Sequence, residues 1–291
     1  MLGAGGMLAR DLVSQAPPDT ELICRTHAEL DVTDQAAVTA AIAGTAPQVI
    51  INCASYTGVD RAETDRETAF GVNGDAPGFV GRAAVASAHR SLLTAHPLVV
   101  HFSTDYVFNG RSTRPYPEDD PTDPIGAYGA SKLAGERALL ESGAPCVIIR
   151  TSWLFGYHGT SFPRTMWQRA REGKATRVVN DQVGRPTYTV DLATATWVVI
   201  RKLITDNRQR SHILHIANTG PTTWYHVALR VFQAVGVPEL LSPCTTAQYP
   251  TPARRPAYSV LDTSRYEALT LAPLPRWEDA LDRFLTELQH A

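Results

Sequence analysis

The sequence predicts an α/β protein: a doubly wound, parallel, Rossmann-type sheet with a smaller substrate-binding part interleaved toward the C-terminus. Three observations carry that expectation. Apolar runs of strand length alternate with helix-length segments, a glycine-rich turn opens the chain, and a Tyr and a Lys four residues apart follow a strand that ends in Ser-Thr. Each signal is weak alone, and their order along one chain is what gives them weight.

The chain opens Met1-Leu2-Gly3-Ala4-Gly5-Gly6-Met7-Leu8-Ala9. Gly3, Gly6 and Ala9 have the spacing of a turn that brings backbone N–H groups and a helix start, at Met7 and Leu8, toward a pyrophosphate. Such a turn follows a strand, yet only Met1 and Leu2 precede it. The first strand is therefore expected to be truncated, either a stub or the end of a strand that starts upstream, the second being preferred. A plain flexible terminus explains the glycines equally well.

Residues 21–25 read as the next strand. It ends in Arg25, where an NAD-selective unit places an acid for the ribose 2′-OH. A cation there suits a 2′-phosphate, so the expected cofactor is NADPH, with NADH as the other candidate; a surface arginine is an even alternative. Asp31 and Val32 fall where an adenine edge is contacted, and Thr33 or Asp34 caps a helix over 35–43. Strand 48–52 delivers Ala54, Ser55 and Tyr56 past the phosphates and ribose. Strands at 98–103, 146–150 and 213–216 alternate with helices at 75–87 and 131–142, the pattern of parallel βαβ units. Residues 116–124, rich in Pro and Asp, read as a loop. After Trp153 the rhythm becomes less regular and rich in Pro and Thr. The expected division is a Rossmann domain of 1–151 and about 183–217, and a substrate-binding domain of about 152–182 and 218–291.

Composition narrows the function classes. With 44% hydrophobic and 19% charged residues, the 291-residue chain has ordinary globular composition. A net charge of −2 gives no electrostatic case for nucleic acid. No apolar run approaches the roughly 20 residues of a membrane span, and no leader pattern opens the chain. A cytoplasmic enzyme with neither a nucleic-acid nor a membrane partner is expected. Cys24, Cys53, Cys146 and Cys244 are far apart without a C-x-x-C pair, and the first three, in or beside apolar strands, read as small buried hydrophobes. His101, His158 and His226 lack the spacing of a ligand set, so no metal ligand is assigned.

The chemistry is carried by Tyr128 and Lys132. Residues at i and i+4 share one helix face, so the Lys132 ammonium is expected to stabilise the Tyr128 phenolate, whose ordinary pKa is about 10. A phenol tuned in that way hands a proton to a carbonyl oxygen while hydride reaches the carbon. Thr104, at the end of an apolar strand, can hold the same oxygen. The three together predict ketone reduction.

Six ordered blocks then resemble the extended short-chain dehydrogenase/reductases, and within them the dTDP-4-dehydrorhamnose reductase family. Asn52-Cys53-Ala54-Ser55-Tyr56-Thr57 with Val59-Asp60-Arg61-Ala62-Glu63 is similar to N-A-A-A-Y-T-x-V-D-x-A-E. Ser103-Thr104-Asp105-Tyr106-Val107-Phe108-Asn109-Gly110 resembles S-T-D-Y-V-F-D-G, with Asn109 for the usual Asp. Arg150-Thr151-Ser152-Trp153, Asp181-Gln182-Val183-Gly184-Arg185-Pro186-Thr187, the stretch from His215 to Tyr225, and Pro252 to Asp262 resemble the remaining blocks.

The resemblance implies a catalytic trio of Thr104, Tyr128 and Lys132, with Tyr128 and Lys132 also touching the cofactor. It implies Trp153 beside the sugar ring, Asp105 and Tyr106 at the substrate end of the strand, and Asn218 and Arg255 on the nucleotide-sugar side. The implied activity is NADPH-dependent reduction of the C4 ketone of a dTDP-4-dehydro-6-deoxy-L-sugar, dTDP-4-dehydro-β-L-rhamnose first among them. A 4-ketoreductase for another deoxysugar and a non-catalytic NADP-binding regulatory subunit are the alternatives. Dehydration is disfavoured, because Tyr106 stands where a 4,6-dehydratase has its Glu base. Some members use a divalent metal at a dimer contact, for which no acidic cluster is assignable; monomer and homodimer both stay open. Departures are the truncated first strand, a long His-rich joint at 88–97, and Ser161 where the family often has Asn.

Overall fold

The computed structural model describes residues 1–88, 96–205 and 212–290, so the extended joint expected at 88–97 lies mostly outside the described residues. In chain order the elements are α1 (Met7–Ser14), α2 (Gln35–Thr45), β1 (Val49–Asn52), α3 (Arg66–Phe70), α4 (Ala76–Ala88), β2 (Leu98–Thr104), α5 (Ala127–Glu141) and β3 (Cys146–Thr151). There follow β4 (Leu154–Phe155), α6 (Phe162–Arg171), β5 (Thr176–Val179), β6 (Val183–Gly184), β7 (Thr187–Tyr188), α7 (Thr189–Thr205) and β8 (His212–His215). The chain closes with β9 (Thr222–Thr223), α8 (Trp224–Val235), β10 (Leu241–Cys244), α9 (Ser264–Thr270) and α10 (Trp277–Gln289).

The central sheet has the order β1-β2-β3-β8, and every pair is parallel. Its strands are apolar on both faces, as a sheet covered on both sides requires. Successive residues serve opposite cores: Leu98, Val100 and Phe102 of β2 with Val147 and Ile149 of β3 pack toward α1, α7 and α9, whereas Val99, Cys146 and Ile148 pack toward α2, α4 and α5. Asp34 starts α2, its side chain accepting the Ala37 N–H at 2.9 Å.

Before the glycine turn the chain makes isolated bridges at Leu2. Leu2 bridges in parallel to Arg25 on one side and Asn52 on the other, and the Arg25 N–H donates to the Met1 carbonyl at 2.9 Å. This corrects the expected strand at 21–25, which forms only the single bridge at Arg25: its other residues have no parallel neighbour among the described residues to hydrogen-bond with. Gly3 follows at φ +70°, and a Cβ there would lie 2.5 Å from the Ala54 nitrogen, so only glycine fits between the turn and the chain leaving β1.

The smaller part has its own core, in which Met166 of α6, Val178 of β5, Val231 and Phe232 of α8, and Phe284 of α10 enclose Phe155. Here β5 pairs in parallel with β10, and β6 pairs antiparallel with β9. Val183 and Gly184 pair with Thr222–Thr223, while Tyr266 and Leu274, late in the chain, pack into the core of the central sheet. The sheet's carboxyl edge and the smaller part enclose one large cleft.

Candidate active site

The carboxyl ends of parallel strands are where open α/β sheets bind ligands, and β1, β2 and β3 deliver Asn52, Thr104 and Thr151 to that edge. The cleft there measures about 1360 Å³, above the ~300–1,000 Å³ of a single small-molecule pocket. It has room for a cofactor and a second ligand. Gly6, Met7, Leu8, Ala54, Ser55, Thr104, Asp105, Tyr106, Tyr128, Lys132, Trp153 and Arg255 border it together.

The α1 end of the cleft fits a dinucleotide. Gly6 caps α1 with no side chain on the cap, so the first amides of the helix point outward unclaimed by the protein. A Cβ on Gly5 would meet nothing within 4 Å. The turn therefore offers a cradle of donors with space before it.

Helix α5 is set by contacts outside its own sequence. Its N-cap, Gly126, has no side chain, and Glu63 caps it instead by accepting the Ala127 N–H at 2.8 Å. Deeper, the Asn73 amide accepts from Ser55 Oγ and the Tyr56 N–H and donates to the Tyr56 carbonyl and Ser131 Oγ, all at 2.9–3.1 Å. Asn73 lies in a single π-turn, Gly71–Asp75, a distortion frequent at functional sites. Below Lys132, Glu136 forms a buried bidentate pair with Arg150 and accepts from Ser103.

The trio's electrostatics differ from the expectation. The Lys132 ammonium, 2% exposed, donates to the Phe102 carbonyl at 2.5 Å. Burial lowers its pKa to about 8, with Glu136 and Cys53 opposing that shift. The Tyr128 phenol is pushed up to about 12, by burial first and by Asp105 second, with the Thr104 hydrogen bond acting the other way. Lys132 thus spends one of its three donors on β2, as a buried ammonium must be hydrogen-bonded. Tyr128 is a protonated acid in this setting. The Thr104 hydroxyl accepts the Tyr106 N–H at 3.2 Å and donates to Asp105 Oδ1 at 3.1 Å.

Other expected site residues are placed at the margin of the cleft, buried, or already engaged by the protein. Gly3 shapes the turn and does not border the cleft. Arg25 is exposed beside that turn, its carbonyl accepting the Ala4 N–H. Asp31 is exposed and closes a turn onto the Thr33 N–H and hydroxyl. Val32 is spent on the core with Leu30 and Val38. Tyr56 is turned away, its hydroxyl donating to Asp65 and accepting from Arg61. Asn218 is a correction: it is fully buried, accepting the Tyr188 N–H and donating to Asp191 and the Pro275 carbonyl, so it ties three segments together instead of facing the cleft. Arg255 borders the cleft but is engaged bidentately by Asp60 at 3.0 and 2.9 Å.

Trp153 does face the cleft, at φ +49° and stacked on Trp224 with centroids 3.6 Å apart. The cleft wall also carries Arg169 and Arg177, which sequence reading missed. Phe162, Met166 and Arg169 recur at helical spacing on one face, the signal that identifies Arg169. Among the described residues no three His, Cys, Asp or Glu side chains group as a metal site, and no helix is long and apolar enough to cross a membrane.

A family model described as the RmlD substrate binding domain matches residues 1–290. The chain belongs to the dTDP-4-dehydrorhamnose reductase family. It is 40% identical over 284 residues to the dTDP-4-dehydrorhamnose reductase of Mycolicibacterium smegmatis, covering 96% of this chain and 82% of that one. It is 43% identical over 282 residues to a probable dTDP-4,6-dihydroxy-2-methyloxan-3-one 4-ketoreductase of Streptomyces antibioticus, covering 96% and 91%. Its fold matches the dTDP-4-dehydrorhamnose reductase of Bacillus anthracis, solved in complex with NADP, at a TM-score of 0.89 and 33% identity over 98% of this chain and 97% of that one. Membership in this reductase family and the convergence of Thr104, Tyr128 and Lys132 point to the same class of chemistry.

Proposed function

We propose that the protein is an NADPH-dependent 4-ketoreductase of a dTDP-4-dehydro-6-deoxysugar, with dTDP-4-dehydro-β-L-rhamnose and dTDP-L-rhamnose as the leading substrate and product. The observation that carries this reading is Thr104, Tyr128 and Lys132 bordering the same cleft as the open glycine turn, in a chain of this family. When bound, the nicotinamide supplies hydride. Gly6, Met7 and Leu8 would hold its pyrophosphate, Ala54 and Ser55 would pass beside it, and Arg25 would meet the 2′-phosphate.

The protein's own residues supply the rest. Tyr128, protonated up to about pH 12, donates its proton to the forming alkoxide. Thr104 contributes a second hydrogen bond to that oxygen, strongest as negative charge develops. Lys132 holds the strand end beneath the phenol. Trp153 flanks the sugar, and Arg169, Arg177 and Arg255 give the diphosphate end a cationic wall. In the proposed division, 1–151 with about 183–217 holds the cofactor and the remainder covers the sugar. Such an enzyme would act in the cytoplasm as monomer or homodimer.

A second reading, reduction of another dTDP-deoxysugar in a natural-product route, is favoured by the 43% identity to the Streptomyces antibioticus ketoreductase. NADPH oxidation with dTDP-4-dehydro-β-L-rhamnose, run beside Tyr128→Phe, tests the first. Turnover that falls by about 10²–10⁴ in the variant is the expected result. Turnover only with a different keto-sugar selects the second reading, and an undiminished Tyr128→Phe overturns the mechanism.

A further inference from the structure

We infer that Asp60 is a positioning residue for the sugar nucleotide: it grips one edge of the Arg255 guanidinium so that the other edge is presented to the diphosphate. This rests on the nucleotide-sugar reading, with Arg255 in the wall of the diphosphate end, and assigns Asp60 a task of its own.

Asp60 stands at the N-cap of the short turn Arg61–Glu63, a place where an Asp side chain usually accepts the turn's own amides. It makes no such cap. Its carboxylate crosses instead to a segment 193 to 195 residues further along the chain. There Oδ1 accepts the Ala253 N–H at 3.1 Å and Arg255 Nη1 at 3.0 Å, and Oδ2 accepts Arg255 Nη2 at 2.9 Å. The hydrogen bonds from Arg255, helped by that from Ala253, hold the Asp60 carboxyl below its ordinary range and so keep it ionised at neutral pH.

The donors of Arg255 divide cleanly. A guanidinium has five N–H donors in a rigid fork that fits carboxylates and phosphates bidentately. Asp60 takes the Nη1–Nη2 edge. Nη1 also donates to the Ala253 carbonyl at 3.0 Å and to the Thr251 hydroxyl, so three acceptors share its two hydrogens. The Nε–H and the second Nη2–H have no hydrogen-bond partner among the described residues, and these two form the other edge. The side chain is 21% exposed, and it borders the large cleft. Two parallel N–H donors suit a phosphate oxygen pair, and a side chain already held in place loses little freedom on binding.

The neighbouring cations are held differently. Arg169 donates through Nε to the Thr176 hydroxyl at 2.9 Å, and Arg177 reaches the Gln248 side-chain oxygen at 3.5 Å. Of these three arginines, only Arg255 is fixed by a carboxylate among the described residues. The turn that fixes it also reaches the proton donor, since Glu63 accepts the Ala127 N–H at 2.8 Å, one residue before Tyr128. One short turn therefore ties down both the cation of the diphosphate end and the start of α5.

Calorimetric titration of the whole chain with dTDP, and separately with NADPH, tests this. Asp60→Asn is expected to weaken dTDP binding about 10-fold, the scale of one charge-assisted hydrogen bond, and to leave NADPH affinity unchanged. Unchanged dTDP binding overturns the inference. So does tighter binding, which would make Asp60 a competitor of the diphosphate, and so does an equal loss for both ligands. Lysine has no second edge to aim, so adding Asp60→Asn to Arg255→Lys is expected to cost no further dTDP affinity; a fully additive loss overturns the inference. Should Asp60→Asn not fold, arginine side-chain NMR of the wild type decides. The Arg255 Nε–H signal, identified by its loss in Arg255→Lys, is expected to shift on adding dTDP, and a signal unmoved at saturation overturns the inference. A wild type that binds NADPH but not dTDP would sink the nucleotide-sugar reading itself. Wild-type dTDP binding with an indifferent Asp60→Asn sinks only the role of Asp60.

Discussion

Glu136 and Arg150 meet as a bidentate pair, Oε1 to Nε at 2.9 Å and Oε2 to Nη2 at 2.7 Å, with side chains 2% and 3% exposed. The pair ties α5 to β3 one helical turn below Lys132, and Ser103 on β2 donates to the same carboxylate. Removing one member of a buried pair strands the other charge, at a cost of about 3–5 kcal/mol. Glu136→Gln should therefore lower stability by that amount in denaturant unfolding. A loss within ~0.5 kcal/mol would show that Arg150 finds other partners, for which its contact with the Glu118 carbonyl is the candidate.

His215 gives the fold an acid limit. Burial, with Arg150 adding to it, lowers this imidazole to about 3, against an ordinary value near 6.5. Between those values the unfolded chain binds a proton that the native chain refuses, so stability falls as pH drops from about 6.5 toward 3. The slope from one such group approaches 1.4 kcal/mol per pH unit. His101, also buried and lowered well below its usual value, adds a second contribution of the same sign. Denaturant midpoints between pH 7 and 4 should fall steeply in wild type and less steeply in His215→Asn, compared as slopes because the variant starts lower.

Gly184 packs beneath Trp153. A Cβ there would lie 2.5 Å from the indole, and neither the strand pairing nor the backbone angle of Gly184 needs to change to accept alanine. Gly184→Ala should displace the ring from Trp224, raise KM for the sugar nucleotide several-fold, and leave NADPH affinity unchanged. Unaltered tryptophan fluorescence and KM would mean that the indole yields without leaving its place.

Asn73 makes four hydrogen bonds that hold the chain after β1 against α5. Asn73→Ala leaves the Tyr56 backbone and Ser131 short of partners, and an unsatisfied buried group costs about 1–3 kcal/mol. Unfolding should report a loss in that range, with a larger drop in kcat than in NADPH affinity, because the helix bearing Tyr128 loosens first. Equal losses in both would indicate a general destabilisation instead.

Local pattern made much of this fold legible. Apolar runs at 48–52, 98–103, 146–150 and 213–216 became the four strands of the central sheet to within a residue or two, because a strand buried on both faces must be apolar throughout. The segment at 21–25 failed because a strand needs a neighbour from elsewhere in the chain, and here only Leu2 bridges to it, at Arg25. Tyr128 and Lys132 shared a helix face as the i, i+4 spacing required, but whether they answered to each other did not follow from spacing. Phe102, thirty residues before Lys132 and on the strand β2, accepts from the ammonium.

The sequence by itself determined the alternation of strands and helices, the reductase family, and the residue types able to protonate a ketone, since these depend on periodicity and on motifs read along one chain. Only the tertiary structure decided that Asn218 is a buried fastener, that Arg255 is engaged by Asp60, and that Asp105 Oδ2 is buried with no hydrogen-bond partner among the described residues. Hydrogen bonding and desolvation depend on neighbours brought together across the chain, and for a buried charge those neighbours outweigh anything its own segment encodes.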